Sequence, residues 1–275
     1  MVVHLPSIII QQSDGTSYDL DECDFKVISF DPPQTAFTHT FQQIMTDKPT
    51  LTQTTVQQAN IPLVLMIRAN DWEDYELQVM KLRKVFSSFE PFYVINSRVP
   101  YIRYKVIAQG FEIKRLSNFY FSQNITINLQ MVDGCAETVG MTSDQAFVDD
   151  LNSWGFGENV PNEKLTYSFT SNMFSFWNLG NIPLKADSRP PLIKINADSK
   201  NLTIINHTTG QTWQLSKDIS HDKELDLTGM KPVYDGQNVF SNSNHAYLDF
   251  AVGENEIEIQ NANNLKVIFE TRFYY

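Results

Sequence analysis

Hydrophobic and polar positions alternate with a period of two along most of this 275-residue chain. The stretch NITINLQM is the cleanest case: Ile125, Ile127, Leu129 and Met131 alternate with Asn124, Thr126, Asn128 and Gln130. That pattern predicts a strand with one wet face, as in an antiparallel sheet. IRYKVIAQGFEI places Ile102, Tyr104, Val106 and Ala108 on one face and Arg103, Lys105 and Ile107 on the other, with Gly110 as a bend. One segment changes period. In NDWEDYELQVMKLRKVFSSFEPF, Tyr75, Val79, Leu82, Phe86 and Phe89 recur at spacings of four and three, one stripe of an amphipathic helix over about 71–89. Asn70 or Asp71 can cap it, Asp71, Glu73 and Asp74 suit its positive end, and Lys81, Arg83 and Lys84 its negative end. Pro91 blocks continuation.

From 133 to 163 the alternation loosens, and glycines and Pro161 punctuate it. A short helix is expected at 143–155, capped by Ser143 or Asp144 and stopped by Gly155. Strands then resume: KLTYSFT, PLIKINA, NLTIIN, QTWQL, ELDLTG, AYLDFAV, NEIEIQ and LKVIFETRFYY, with turn residues about every ten positions, as in an antiparallel sandwich. In NLTIINHTTGQTWQL, Leu202 and Ile204 pair in parity with Trp213 and Leu215, so Asn206–Gly210 reads as a hairpin connection. The expected fold class is mainly β in two domains. An N-terminal β domain with one helix covers 1–135, a linker 136–163, and a β-sandwich 164–275 whose last strand has the option of returning to the first domain.

Composition narrows the function. A 42% hydrophobic chain can bury a sizeable core. A net charge of −11 argues against nucleic acid and against anionic membrane surfaces as partners. Cys23 and Cys135 stand far apart and in no C-x-x-C motif, so they read as free thiols. The N-terminus lacks the basic and long apolar regions of a signal peptide, and no run approaches the ~20 apolar residues of a membrane span. The expectation is a chain made in a cytoplasm, so the Asn-x-Thr triplets at Asn124, Asn201 and Asn206 read as by-products of strand and turn composition.

Chemistry-bearing motifs are scarce. His4, His39, His207, His221 and His245 form no metal-binding spacing, and no nucleophile elbow, phosphate loop or dinucleotide fingerprint occurs. Glu254, Glu256 and Glu258 alternate with Ile257 and Ile259, which puts them on the wet face of one strand rather than across a cleft. Asp235-Gly236 reads as a turn. Trp177 and Trp213 read first as packing and second as a platform for glycan contact. No cofactor, metal or catalytic group is expected, and the chain is not read as an enzyme.

An ordered set of phrases in the C-terminal half carries a resemblance: MFSFWNLGNIPLKADSRPPLIKI, NLTIINHTTGQTWQL, LDLTGMKPVYDGQNVF, LDFAVGENEIEIQ and the aromatic end RFYY. In the N-terminal half, early strands, a single amphipathic helix and RYKVIAQG follow in order. Together they resemble the distal tail protein family of long, non-contractile-tailed bacteriophages of Gram-positive hosts. The resemblance implies an N-terminal β domain that forms a ring of six copies and a C-terminal galectin-like sandwich. It implies a tail-tip hub that meets the major tail protein on one side and a tail-associated lysin or tail fibre protein on the other, and holds receptor-binding proteins. Localisation would be the virion tail tip, after synthesis in the bacterial host cytoplasm. A ring requires two different patches on each copy to meet, and exposed sheet edges are natural candidates. The alternative reading is a carbohydrate-binding sandwich that attaches a virion or surface assembly to host glycan.

Overall fold

A computed structural model of the chain describes residues 7–45, 48–117, 120–144, 148–149 and 165–275. The chain divides into two compact units, Met1–Glu137 and Thr138–Tyr275. The expected helix at 143–155 and most of the expected linker fall outside the described residues.

The first unit contains β1 (Ile8–Gln11), β2 (Ser17–Asp19), β3 (Phe25–Phe30), β4 (Phe37–Met45), β5 (Lys48–Val56), β6 (Asn60–Ile67), α1 (Trp72–Val85), β7 (Phe92–Asn96), β8 (Ile102–Ala108) and β9 (Ile125–Thr138). Seven strands form one sheet in the order β2-β1-β7-β8-β9-β6-β3. Alternation sorts β9 as expected: Ile125, Ile127, Leu129 and Met131 are buried. Asp71 caps α1, its side chain accepting from the Asp74 N–H at 2.8 Å, while Glu73 and Asp74 sit in the first turn and Arg83 and Lys84 in the last. Tyr75, Val79, Leu82 and Phe86 are buried against the sheet's core, as their spacing predicts. Phe89 is not: it is 99% exposed. The helix ends at Val85, and Phe86 leaves helical geometry at φ −100 and ψ 21. Beyond it the 100°-per-residue rotation no longer decides which way a side chain points.

The second unit contains β10 (Ser168–Phe169), β11 (Met173–Asn178), β12 (Leu192–Asn206), β13 (Gln211–Leu215), β14 (Leu225–Thr228), β15 (Lys231–Tyr234), β16 (Gln237–Asn238) and β17 (Gly253–Glu270). The two longest strands, β12 and β17, pair antiparallel along most of their length, with register shifts between Asn196 and Asp198 and between Ser199 and Thr203. Before these irregularities β12 also pairs β14; after them it pairs β13. Bulges bend strands and raise their twist. Both ends of the bent pair contribute to one core, which includes Ile193, Ile195, Ile204, Trp213, Phe250, Val267 and Phe269. Phe176 lies at its centre, 4.6 Å from Phe269 and 5.0 Å from Phe250 between ring centroids.

The recurrent phrases have local physical reasons. Asn178 is buried; its side chain accepts from the Gly180 N–H and donates to the Ile182 carbonyl. A Cβ at Gly180 would lie 2.5 Å from the Tyr274 carbonyl, so only glycine lets the chain end dock there. Arg272 donates from Nη1 to the carbonyls of Thr138, Val139 and Gly140, and Phe273 is fully buried. The C-terminal aromatic run is therefore seated within the second unit. In the 201–215 hairpin, Leu202, Ile204, Trp213 and Leu215 are all buried. Asn206 has no exposed surface and its amide nitrogen donates to the Asp249 carbonyl at 2.9 Å, so its triplet offers no free side chain to modify.

Candidate functional site

The groups considered for chemistry lie apart or on surfaces. Among the described residues no group of three or more His, Cys, Asp and Glu is placed to hold a metal ion. Glu254, Glu256 and Glu258 face solvent along β17, opposite Trp177, Ser175 and Met173 of β11. His207 contacts Glu258 at 2.8 Å; hydrogen bonds from Gln260 and then His207 hold that carboxyl below its ordinary range. Trp213 is 1% exposed and belongs to the core. Trp177 is half-buried and packs against the same core, with its carbonyl accepting from the Tyr167 hydroxyl at 2.9 Å. The two indoles stand on different strands, paired to Glu254 and to Ile204 respectively, and only Trp177 retains solvent contact.

The surface is more informative. Among the described residues, eleven of the sixteen large hydrophobic side chains that remain exposed belong to the first unit. Three are on β4 and β5, which pair only with each other and form a separate two-stranded ribbon. Phe37, Phe41 and Leu51 are 43%, 59% and 51% exposed, with Phe41 and Leu51 directly opposite each other. None of the ribbon's described side chains is buried. A lone two-stranded ribbon is marginal in water, so this arm has the composition and exposure of a segment completed by another surface. Its root is fixed: the Gln57 N–H donates to the Ala36 carbonyl at 2.8 Å, and Val56 and Gln57 close over Gly134, at φ +69, where a Cβ would meet the Gln57 carbonyl at 2.4 Å.

A second patch lies on α1. Leu77 and Met80 are each 59% exposed, on the side of the helix away from Tyr75, Val79 and Leu82, and Trp72, its first residue, is 59% exposed too. A third is the free edge of β3, where Ile28 is 47% exposed. Exposed apolar groups grouped in this way mark interaction surfaces. The ribbon was not singled out from sequence. Its signal is the stretch FTHTFQQIMTDKPTLTQTTV, long enough for two strands yet with Thr and Gln on both parities and hence no face to bury.

The arm, the helix and most of the sheet fall within residues that match a known domain. Residues 13–131 match the family model described as the phage tail protein RIFT-related domain. The match lies within the first unit. Over the whole chain, the fold is similar to that of the Dit protein of phage SPP1, described as a paradigm of the hub adsorption apparatus in Gram-positive-infecting phages. That match covers 98% of this chain and 99% of that one, at 11% identity and a TM-score of 0.65. The resemblance to distal tail proteins drawn from sequence is borne out by this domain and this fold. Two structures of the phage p2 baseplate in its activated conformation, with calcium and with strontium, also match. Each covers 97% of this chain and 98% of that one at 9% identity, with TM-scores of 0.42 and 0.44. No curated protein matches the chain.

Proposed function

We propose that this chain is a non-enzymatic virion protein, a distal tail hub whose first unit assembles with further copies into a closed ring of six. The observation that carries the reading is the arm of β4 and β5, with exposed Phe37, Phe41 and Leu51 and no buried side chain among those described. A ring needs a heterologous contact between two different patches, and the first unit presents an arm, a helix face and a sheet edge. The ring would join the tail tube, through the major tail protein, to a tail-associated lysin or tail fibre protein at the virion tail tip. The second unit, which the resemblance makes galectin-like, would face outward and hold receptor-binding proteins.

The test is the mass of the purified chain in solution. The expected result is a species six times 31.6 kDa that falls to the single-chain mass when residues 37–56 are replaced by a two-residue turn. The neighbouring ends at Ala36 and Gln57 allow that replacement without disturbing the sheet. A strict monomer at all concentrations would overturn the hub reading. Of the two indoles considered for the glycan-binding alternative, Trp177 is accessible and Trp213 is sealed in the core. Saturable binding to cell-wall glycan that Trp177→Ala abolishes would favour it.

A further inference from the structure

We propose that the arms of successive copies pair edge to edge, β4 of one beside β5 of the next, and close into a twelve-stranded barrel. The inference rests on the ring reading and names the contact that closes the ring. It is heterologous, because two different edges meet.

The observation that carries it is which strand edges are guarded. Folded proteins protect an open edge by keeping it short, bulging it, or placing charge or proline on it. The seven-stranded sheet does so at both ends. β2 is three residues long and ends on Asp19. β3 carries Lys26, and Ile28 is bulged out between the Val27–Leu65 and Ser29–Val64 pairs. On α1, Leu77 and Met80 stand among the charged Glu73, Glu76 and Lys84. The arm has no such guard along most of its length. β4 contains no Lys, Arg, Asp, Glu or Pro, and β5 has Lys48 and Pro49 only at its start. The two strands match at nine residues each and, among the described residues, pair only with each other. A ribbon with two open edges satisfies both by taking a like ribbon on each side.

The side chains sort to suit a closed sheet. The bulge at Thr52 sets Phe41 opposite Leu51, as Phe37 is opposite Val56. These four share one face, although Leu51 and Val56 differ in sequence parity. The other face holds the pairs Thr38–Thr55, Thr40–Gln53 and Gln42–Thr50, all Thr and Gln. In the barrel the apolar face turns toward the surrounding units and the Thr and Gln face lines a wet opening. Charge agrees. Copies that each carry −11 repel, and residues 37–56 hold one acid, Asp47, and one base, Lys48, so the arms meet where repulsion is least. Dimensions agree as well. A unit the size of Met1–Glu137 has a radius of about 18 Å, so six in contact leave an opening about 37 Å across. Twelve strands about 4.8 Å apart and tilted by about 40° close at a diameter of about 24 Å. Outer side chains add roughly 5 Å all round, half the spacing of packed sheets, and the barrel fits the opening.

The deciding experiment places a nitroxide label on Thr40→Cys in the full-length chain, at an exposed position of the Thr and Gln face. Cys23 and Cys135 are buried at 7% and 3% exposure and stay unlabelled. In the barrel, labels of neighbouring copies stand two strands apart, about 10 Å, and broaden the spectrum of the assembled protein. Mixing with unlabelled chain before assembly should remove the broadening. An arm seated on any other element of a second copy leaves the labels about one unit apart, roughly 37 Å, and the lines narrow. Narrow lines in material that runs as a multiple of 31.6 kDa overturn the barrel and leave the ring standing. If the labelled chain does not assemble, two unlabelled variants decide. Thr40→Lys guards the open edge and should raise the protein concentration at half-assembly by about tenfold or more. Ile28→Lys, on the edge that is already bulged, should leave it unchanged. No effect of Thr40→Lys, or the reverse pattern, overturns the proposal. A monomeric wild-type chain overturns both it and the ring.

Discussion

At the scale of single residues, the second unit is held by groups whose role shows in what a small change would meet. Gly180 has the Tyr274 carbonyl 2.5 Å and its amide nitrogen 2.8 Å from where a Cβ would stand. Both are backbone atoms and cannot swing aside. Gly180→Ala is expected to cost about 1–3 kcal/mol of unfolding free energy, the usual penalty of overpacking, measured by urea titration of the full chain. Tyr167 offers a pH test. Burial, with Tyr275 beside it, pushes its phenol well above the ordinary value of 10.0. The folded state therefore holds the proton more tightly than the unfolded chain. Its contribution to stability is fully present below about pH 10 and is lost as pH rises beyond it. Tyr167→Phe should remove part of the alkaline destabilisation, seen as a shallower fall of stability with pH. At neutral pH it should cost about 1 kcal/mol for the lost bond to the Trp177 carbonyl. Equal alkaline slopes in the two proteins would refute the assignment.

At the scale of elements, α1 shows what sequence reasoning reaches and where it stops. Its cap, charge gradient and buried stripe follow from local physics, so the start at Trp72 was legible. Its end was not. Pro91 sets only an outer limit, while the helix stops at Val85 through the backbone geometry of Phe86. Asp71→Ala should lower stability by about 1 kcal/mol through loss of the cap. Thermal unfolding of the full chain and of the variant would register it. Strand β9 and the 201–215 hairpin were legible for the same reason: one face of each is buried inside its own unit, and burial writes a period of two. The arm breaks that rule. Phe37, Phe41 and Leu51 find no cover within a single copy, so the sequence carries no hydrophobic parity to read. An apolar surface left uncovered within its own unit leaves almost no periodic mark, and the same holds for Trp72, Leu77 and Met80 beside an otherwise well-marked helix. The two tryptophans illustrate the converse. Trp213 shares parity with Leu215 and was legible as core, whereas the half-buried state of Trp177 depends on which strand lies opposite.

At the scale of the whole molecule, two separate cores imply two separable folding units. One core runs from Ile8 to Met131 and the other from Val148 to Phe273. The place to divide them is set by the end of the chain. Thr138 donates its N–H to the Phe273 carbonyl at 2.9 Å and accepts from the Phe273 N–H through its hydroxyl. Thr142 exchanges further bonds with Thr271, and the carbonyls of Thr138, Val139 and Gly140 receive the Arg272 guanidinium. Residues 138–142 thus belong energetically to the second unit although they precede most of its strands. A fragment of 138–275 should fold alone and stay monomeric. A fragment starting at 143 should lose on the order of 2–3 kcal/mol, since it forfeits several bonds of roughly 1 kcal/mol each and leaves Arg272 without its acceptors. Chemical denaturation of the two fragments makes the comparison directly. If they are equally stable, the strap over the C-terminus contributes nothing, and the boundary between the units can be drawn later in the chain. If the longer fragment is the more stable, the same five residues that leave β9 anchor the final aromatic run. The chain's last residues and the start of its second unit then fold as one piece.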